Sequence, residues 1–164
     1  MIIPMPSQKL MSAAELSLVS GGMRAAGRKL VFTNGCFDLL HAGHVRYLQQ
    51  ARALGDALLV AVNGDASVRG LKGPGRPLNN EDDRAEVIAA LGCVDYVTIF
   101  EEKRVTRLLR EIRPQVYAKG GDYTVESLNQ EEAAALRDID AEIKILPLVP
   151  GKSTTKLIEK MGVQ

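Results

Sequence analysis

Residues 29–44 read Lys-Leu-Val-Phe-Thr-Asn-Gly-Cys-Phe-Asp-Leu-Leu-His-Ala-Gly-His, and they give the first indication of the fold. Residues 29–34 are a short run rich in β-formers, which predicts a strand. The chain then passes through a loop into a predicted helix that begins near Gly43 and ends near Leu54, before Gly55. A strand that leads through a loop into a helix is typical of an α/β fold.

The alternation of strand and helix continues along the rest of the chain. Residues 57–63 are almost wholly apolar, which is typical of a strand that is covered on both faces. A glycine-rich passage through Gly75 follows, which we interpret as a loop. The other predicted strands cover 95–100, 116–119 and 142–146, and the other predicted helices cover 12–27, 81–91, 102–112, 130–138 and 154–161. This order predicts a parallel sheet with helices on both faces, and ligands bound beyond the carboxyl ends of the strands.

The composition limits the possible classes of protein. The length predicts a single domain over residues 1–164, of which residues 1–11 form a loose N-terminal leader. A net charge of +1 and an aromatic content of 4% argue against a nucleic-acid binder. The two cysteines, Cys36 and Cys93, are too few for a disulfide scaffold, so we interpret both as reduced thiols. Because the chain has neither a signal-peptide pattern nor a long apolar run, we expect a cytoplasmic protein that makes no membrane contact.

Both histidines of the chain, His41 and His44, lie in the loop after the first strand, at the entry to a helix. A helix N-terminus presents unpaired N–H groups that attract phosphate, and two imidazoles add side-chain donors there. Gly35 allows close approach of the backbone to a ligand, and Asp38 can hold the turn by accepting backbone N–H bonds. The alternatives for the pair are a metal site or ordinary capping, although zinc would need further ligands and no other His exists.

Three later loops also carry groups that suit an anion. Lys72-Gly-Pro-Gly-Arg-Pro77 offers two cations that can close over a polyphosphate, with Arg84 joining them; the alternative is a solvated surface loop. Lys119-Gly-Gly-Asp-Tyr123 combines space for a ligand with polar contacts. Ser153-Thr-Thr155 begins the last helix with hydroxyl groups. This last segment is not a Walker A loop, because that motif would require glycine where the chain has Leu146.

Two of these motifs resemble the signatures of the HxGH-motif, or cytidylyltransferase-like, nucleotidyltransferase superfamily. They are Gly35-Cys-Phe-Asp-Leu-Leu-His-Ala-Gly-His44 and Ser153-Thr-Thr155, and the resemblance spans residues 29–161. It implies a Rossmann-like three-layer sandwich with a parallel five-stranded sheet in the order 3-2-1-4-5. Within the superfamily, Phe32–Asp38, Leu71–Pro77 and Lys119–Tyr123 look most like the adenylyltransferases of ADP-heptose synthesis.

The resemblance also implies a reaction. AMP passes from ATP to D-glycero-β-D-manno-heptose 1-phosphate, which gives ADP-heptose and pyrophosphate for the lipopolysaccharide inner core. The catalytic residues are then His41, His44 and Lys72, with Mg²⁺ bridging phosphate oxygens and no metal ligand from the protein. The implied partners are small-molecule substrates only, and the implied assembly is a homo-oligomer, either a dimer or a tetramer.

The nucleotide-binding residues carried over from the resemblance come from all of these loops. The adenosine would lie over Gly35 and Phe37, near Lys119–Asp122, although Phe37 also suits core packing. The full set is Thr33, Asn34, Gly35, Cys36, Phe37, Asp38, Arg84, Lys119, Gly120, Asp122, Ser153, Thr154 and Thr155.

Besides a purely structural domain, two alternatives stay open at the level of sequence. One is a cytidylyltransferase, or another adenylyltransferase, that acts on glycerol phosphate or another alcohol phosphate. Glycerol-phosphate cytidylyltransferases carry an arginine in an R-T-E-G-I-S-T-T run, whereas this chain reads Leu148-Val-Pro-Gly-Lys-Ser-Thr-Thr155, so the cation role would pass to Lys152. The other alternative is a regulatory module that binds a nucleotide without turnover.

Overall fold

The computed structural model describes residue 2, residues 4–121 and residues 124–162. Its strands are β1 (Leu30–Gly35), β2 (Ala57–Asn63), β3 (Tyr96–Phe100), β4 (Val116–Gly120) and β5 (Glu142–Leu146). Its α-helices are α1 (Pro6–Lys9), α2 (Ala13–Ala25), α3 (Ala42–Arg52), α4 (Asp65–Lys72), α5 (Glu81–Ala89), α6 (Thr106–Ile112), α7 (Gln130–Asp138) and α8 (Thr154–Lys160), and a 3₁₀ turn covers Val125–Ser127.

The five strands form one sheet in the order β3-β2-β1-β4-β5, and every neighbouring pair is parallel. This confirms the predicted fold class and strand order. Strand order reverses between β1 and β4, because the chain passes from β1 to β2 on one side and reaches β4 on the other. A doubly wound sheet opens a crevice at such a point, beyond the carboxyl ends of the strands.

Helices cover both faces of the sheet, and successive side chains of β1 show why. Val31 belongs to a buried apolar cluster that includes α3 and α5, and Phe32 belongs to a second cluster that includes α2, α6 and α7. Residues of β2 are buried along its whole length, as its apolar sequence predicts. The two clusters are the two cores of a three-layer sandwich, and they hold the strand ends in place beneath the crevice.

The structure corrects the interpretation of the glycine-rich passage after β2. Its first part is α4, which begins beside Gly64 and runs through Lys72. Long-range bonds hold this helix: the Glu81 carboxylate accepts the N–H of Asp65 at 2.6 Å, and the Ser67 hydroxyl donates to the Glu102 carbonyl at 2.9 Å. A glycine inside the helix lowers its intrinsic propensity, so these tertiary contacts decide its conformation.

The described part of the predicted leader is not loose. Residues 6–9 form α1, and Leu10 pairs with Val97 of β3 in an isolated parallel bridge. Lys9 is buried, and its Nζ donates to the carbonyl oxygens of Val94 at 2.7 Å and Leu91 at 3.2 Å. This segment therefore belongs to the folded unit. Among the described residues, no helix is both long and apolar enough to cross a membrane.

Candidate active site

A cleft of about 720 Å³ lies beyond the carboxyl ends of β1 and β4, where the fold predicts a ligand. Thirteen of the sixteen predicted site residues line it: Asn34, Gly35, Cys36, Phe37, Asp38, His41, His44, Lys72, Lys119, Gly120, Ser153, Thr154 and Thr155. Asp122 lies outside the described residues. Loops that are far apart in the sequence therefore meet around one cavity.

The cleft is strongly cationic although the chain as a whole carries a net charge of only +1. Two acidic residues, Asp38 and Glu132, are among its lining residues in the described part of the chain. Its basic residues are Lys72, Arg76, Lys103, Arg104, Lys119 and Lys152. Among the described lining residues, this excess of four positive charges suits a compact, highly charged anion, which the net charge of the chain does not register.

The two histidines lie side by side at the start of α3. Their rings stack with centroids 3.9 Å apart and 25° between their planes. The rings of Phe37 and His44 pack edge to face, with a centroid distance of 5.5 Å and 66° between their planes. The backbone N–H of His41 donates to His44 Nδ1 at 3.3 Å, so in neutral His44 the proton is on Nε2. The pair thus combines a capping interaction with an Nε2–H of His44 that donates to no described residue.

Gly43, the glycine between the two histidines, permits this packing. A Cβ atom on Gly43 would lie 2.9 Å from both Cε1 and Nδ1 of His41, and 3.0 Å from Cβ of Lys152. Any larger residue would push the His41 ring or the start of α8 away. The motif therefore requires glycine at this position for a steric reason, which sequence reasoning left unexplained.

Burial shifts the pKa values of both imidazoles downward. Desolvation, followed by the charge of His41, lowers the pKa of His44 to about 4. Desolvation, followed by the charge of Lys152, also lowers the pKa of His41. The lowered pKa values favour the neutral form of both rings, in which an N–H can donate a hydrogen bond without a positive charge on the ring.

We predict that His44 stays neutral from pH 8 down to pH 5 and titrates at about pH 4. Because an unfolded chain protonates histidine near pH 6.5, the free energy of unfolding falls as the pH drops from about 6.5 towards 4. A long-range ¹H–¹⁵N NMR titration measures this directly, since the chain has two histidines and His41→Gln assigns them. A midpoint near 6.5 for His44 would contradict the buried, Nε2-protonated geometry.

Asp38 clamps the loop that carries Arg76 onto the β1–α3 loop. Its carboxylate is 4% exposed, accepts the Arg76 Nε–H at 2.7 Å, and accepts the N–H groups of Leu78 and Asn79 at 2.9 and 3.0 Å. Burial raises the pKa of Asp38, but these hydrogen bonds outweigh it, and the pKa lies below its ordinary value. Asp38 thus accepts backbone N–H bonds as predicted, although the donors come from a distant loop.

Two predicted nucleotide ligands have other roles in the structure. Arg84 is 2% exposed and does not line the cleft. Its guanidinium donates to the carbonyl oxygens of Asn79, Cys36 and Asn63 and to the Asp65 carboxylate. Arg84 therefore holds together the loops that form the cleft.

Thr33 is also buried and is absent from the cleft lining. Its hydroxyl bonds to the Tyr47 hydroxyl at 2.7 Å. The Tyr47 ring packs against Gly120, where a Cβ would approach it to 2.9 Å. Burial raises the pKa of Tyr47 to about 12, so this phenol stays protonated and structural. Thr33 therefore positions one wall of the cleft.

The start of α8 forms another wall. The Thr154 hydroxyl donates to the Leu39 carbonyl at 2.9 Å, which ties the two signature motifs together. Ser153 caps the helix by accepting the N–H of Lys156 at 3.4 Å. Lys152 lines the cleft beside His41, in the place where the sequence offered it as a substitute cation.

Sequence reasoning missed several lining residues, chiefly Lys103 and Arg104 after β3 and Glu132 on α7. Lys103 and Arg104 fell inside the predicted helix over 102–112, whereas α6 begins only at Thr106, so both residues lie in the loop after β3. The rule that ligands bind after each strand of a doubly wound sheet would have singled them out.

A comparison with known families agrees with this geometry. Residues 32–160 match the family model described as cytidylyltransferase-like, which covers all the described lining residues of the cleft. The chain belongs to the cytidylyltransferase-like family. This membership confirms the predicted class, a nucleotidyltransferase domain that acts on a nucleotide.

Similar proteins place this cytidylyltransferase-like domain in a wider context. The chain is 50% identical over 153 residues to Bifunctional protein HldE of Trichlorobacter lovleyi, and 53% identical over 150 residues to Bifunctional protein HldE of Azotobacter vinelandii. These matches cover 93% and 92% of this chain but only 31% of each relative. The chain therefore spans about a third of the length of these curated relatives.

A solved structure supports the same fold. The lipopolysaccharide core biosynthesis protein from Thermoplasma volcanium GSS1 superposes on this chain with a TM-score of 0.62 and 27% sequence identity. The match covers 75% of this chain and 98% of that protein.

Proposed function

We propose that the chain transfers AMP from ATP to D-glycero-β-D-manno-heptose 1-phosphate, which yields ADP-heptose and pyrophosphate for the lipopolysaccharide inner core. The observation that carries this proposal is the stacked pair of His41 and His44 in a cleft with an excess of positive charge. In the described part of the chain, Nδ1 of His41 is buried without a hydrogen-bond partner. A buried polar atom of this kind is typical of a site that a ligand completes.

The chemistry needs positioning more than it needs a reactive side chain. An oxygen of the sugar 1-phosphate attacks the α-phosphorus in line, and the bond to the leaving pyrophosphate breaks, so no covalent intermediate with the protein forms. The two substrates are anions that repel each other, and fixed donors must hold them together and stabilise the charge of the transition state. His41 and His44 donate to the phosphates, and Lys72 and the Ser153–Thr155 segment contact the β- and γ-phosphates.

The acidic residues of the cleft fit a magnesium ion that takes most of its ligands from ATP and enters the cleft together with it. Asp38 is fully engaged with Arg76 and two backbone N–H groups, which leaves Glu132 as the other acidic lining residue in the described part of the chain. Mg²⁺ prefers oxygen ligands and commonly takes them from substrate phosphates. When bound, the ion neutralises negative charge on the phosphate oxygens.

The adenosine lies over Gly35 and Phe37 in this proposal, near Lys119 and Gly120. Phe37 supports it because the ring is 7% exposed, belongs to the core cluster and still lines the cleft, so it joins both environments. The missing arginine supports an adenylyl donor over a cytidylyl donor, since this chain has Leu148 where the R-T-E-G-I-S-T-T run of glycerol-phosphate cytidylyltransferases begins with arginine.

The choice of acceptor draws support from the sequence resemblance and from the relatives. The segments most like the adenylyltransferases of ADP-heptose synthesis, 32–38, 71–77 and 119–123, all contribute lining residues. The similar structure from Thermoplasma volcanium is that of a lipopolysaccharide core biosynthesis protein. Both point to a sugar that enters lipopolysaccharide.

A substrate matrix tests the proposal. Each of ATP, CTP, GTP and UTP is incubated with heptose 1-phosphate, with glycerol 3-phosphate and without acceptor, and pyrophosphate release is followed. We expect release with ATP and heptose 1-phosphate. Release with CTP and glycerol phosphate would favour the sister activity, and tight ATP binding without release on any acceptor would favour a regulatory module.

Assembly as a homo-oligomer and a cytoplasmic location stay predictions. Light scattering after size-exclusion chromatography measures the first, and a mass of about 18 kDa would contradict it, because the chain alone has a mass of 17.8 kDa.

A further inference from the structure

Glu132 is a buried acidic residue that lines the cleft. It takes no part in the hydrogen bonds between Asp38 and the loop that carries Arg76. It lies in the first turn of α7, where the Asn129 side chain accepts the N–H groups of Glu131 and Glu132 at 3.0 and 3.3 Å and so fixes the backbone. Glu132 is 7% exposed and lines the cleft beside the end of β4. The capped first turn of α7 therefore holds Glu132 in a fixed position beside the end of β4.

The carboxylate of Glu132 has little compensation for its burial. Lys119 Nζ lies 3.5 Å from Oε2, at the outer limit of a hydrogen bond. Among the described residues, no other side chain pairs with Glu132, and Oε1 accepts no hydrogen bond from any of them. A buried carboxylate costs free energy unless donors satisfy its oxygens, so this one suits a ligand that brings donors.

The distribution of charge around the cleft indicates which part of a ligand would donate hydrogen bonds to Glu132. Lys72, Arg76, Lys103 and Arg104 follow β2 and β3, on the opposite side of β1 from β4. Phosphates are drawn to those cations and repelled by Glu132. Neutral hydroxyl groups, in contrast, donate well to a carboxylate. We infer that the Glu132 carboxylate accepts hydrogen bonds from hydroxyl groups of a sugar ring bound beside the end of β4.

This inference rests on the proposed function, in which two sugars enter the cleft. One is the ribose of the nucleotide and the other is the acceptor sugar, and both carry vicinal hydroxyls. The carboxylate chemistry is the same for either, so the experiment has one arm for each source.

The test compares Glu132→Gln with Glu131→Gln, its exposed neighbour on the same helix. Calorimetry measures the dissociation constants of an ATP analogue with a methylene bridge between the α- and β-phosphorus atoms, and of its 2′-deoxy and 3′-deoxy forms. The second arm uses heptose 1-phosphate and deoxy forms of that sugar phosphate. Glu132→Asp, which keeps the charge but draws the oxygens back, provides a second variant if the glutamine variant folds poorly.

We expect Glu132→Gln to weaken binding of one fully hydroxylated ligand about tenfold, as the loss of charge-assisted hydrogen bonds predicts. The wild-type preference for that ligand over its deoxy form should disappear, and Glu131→Gln should bind as the wild type does. A loss confined to the ATP arm assigns the ribose, and a loss confined to the sugar-phosphate arm assigns the acceptor.

Two results would overturn the inference. Equal affinities of wild type and Glu132→Gln for all ligands would mean that no hydroxyl reaches the carboxylate. Tighter binding of every phosphate by Glu132→Gln, deoxy forms included, would mean that Glu132 only offsets the charge of Lys119. Because binding needs no turnover, a wild-type enzyme that releases no pyrophosphate would count against the proposed function and leave this test intact.

Discussion

Replacing His44 by alanine should lower kcat for pyrophosphate release by a factor on the order of 10²–10³, the cost of removing a preorganised donor to the charge of the transition state. His44 is neutral at physiological pH and carries its proton on Nε2 in the structure, held there by the N–H of His41 on Nδ1. The variant loses this donor and the stacking surface for His41 together. Steady-state kinetics with saturating ATP and heptose 1-phosphate measures the effect.

The same helix offers a control for this experiment. Gln49 is exposed on α3 and is not among the lining residues of the cleft, so Gln49→Ala should keep wild-type turnover. The far-ultraviolet circular dichroism of His44→Ala should match that of the wild type, since His44 itself lies outside the sheet and outside both apolar clusters. Wild-type turnover by His44→Ala would remove the histidine pair from the mechanism.

Asp38→Asn should lower the free energy of unfolding by about 3 kcal/mol, because removing one partner of a buried ion pair leaves the other groups unsatisfied. The asparagine amide would direct an NH₂ group at donors, where the wild-type carboxylate accepts from Arg76, Leu78 and Asn79. The loop beside Lys72 would loosen, so kcat/KM for ATP should fall as well. Urea unfolding followed by circular dichroism measures the stability change.

Asp56→Asn is the matched control, since the Asp56 carboxylate also accepts a backbone N–H, that of Lys29 at 2.7 Å, but is exposed. Its loss should cost no more than about 1 kcal/mol. The pH dependence gives a second readout. Because the folded pKa of Asp38 lies below its ordinary value of 3.8, its stabilisation is present above that pH and is lost as the pH falls through the lowered pKa. Equal stabilities of the two variants would contradict the clamp.

The strongly patterned elements could be predicted from the sequence. The apolar run of residues 57–63 predicted β2, and the structure buries all seven residues of that strand. The position of the site followed from the fold, because parallel strands end at one edge. The two signature motifs then identified the loops that meet there.

The remaining features depend on contacts between distant segments. Helix α4 contains Gly70 and is held by bonds to residues 81 and 102, which no local pattern reveals. Arg84 carries a charge near the cleft, but its side chain is buried and donates to the carbonyl oxygens of Cys36 and Asn63, so it stabilises the loops. Helical spacing could have indicated that Arg84 is buried, since it lies four residues before the buried Ile88 and therefore on the same face of the helix.

The most direct test of the central claim is the product balance of the wild-type chain with ATP and D-glycero-β-D-manno-heptose 1-phosphate. Phosphorus NMR and mass spectrometry follow the mixture in the presence of Mg²⁺. We expect one pyrophosphate and one ADP-heptose to appear for each ATP consumed. Conversion with CTP but not with ATP, or binding of ATP without either product, would contradict it.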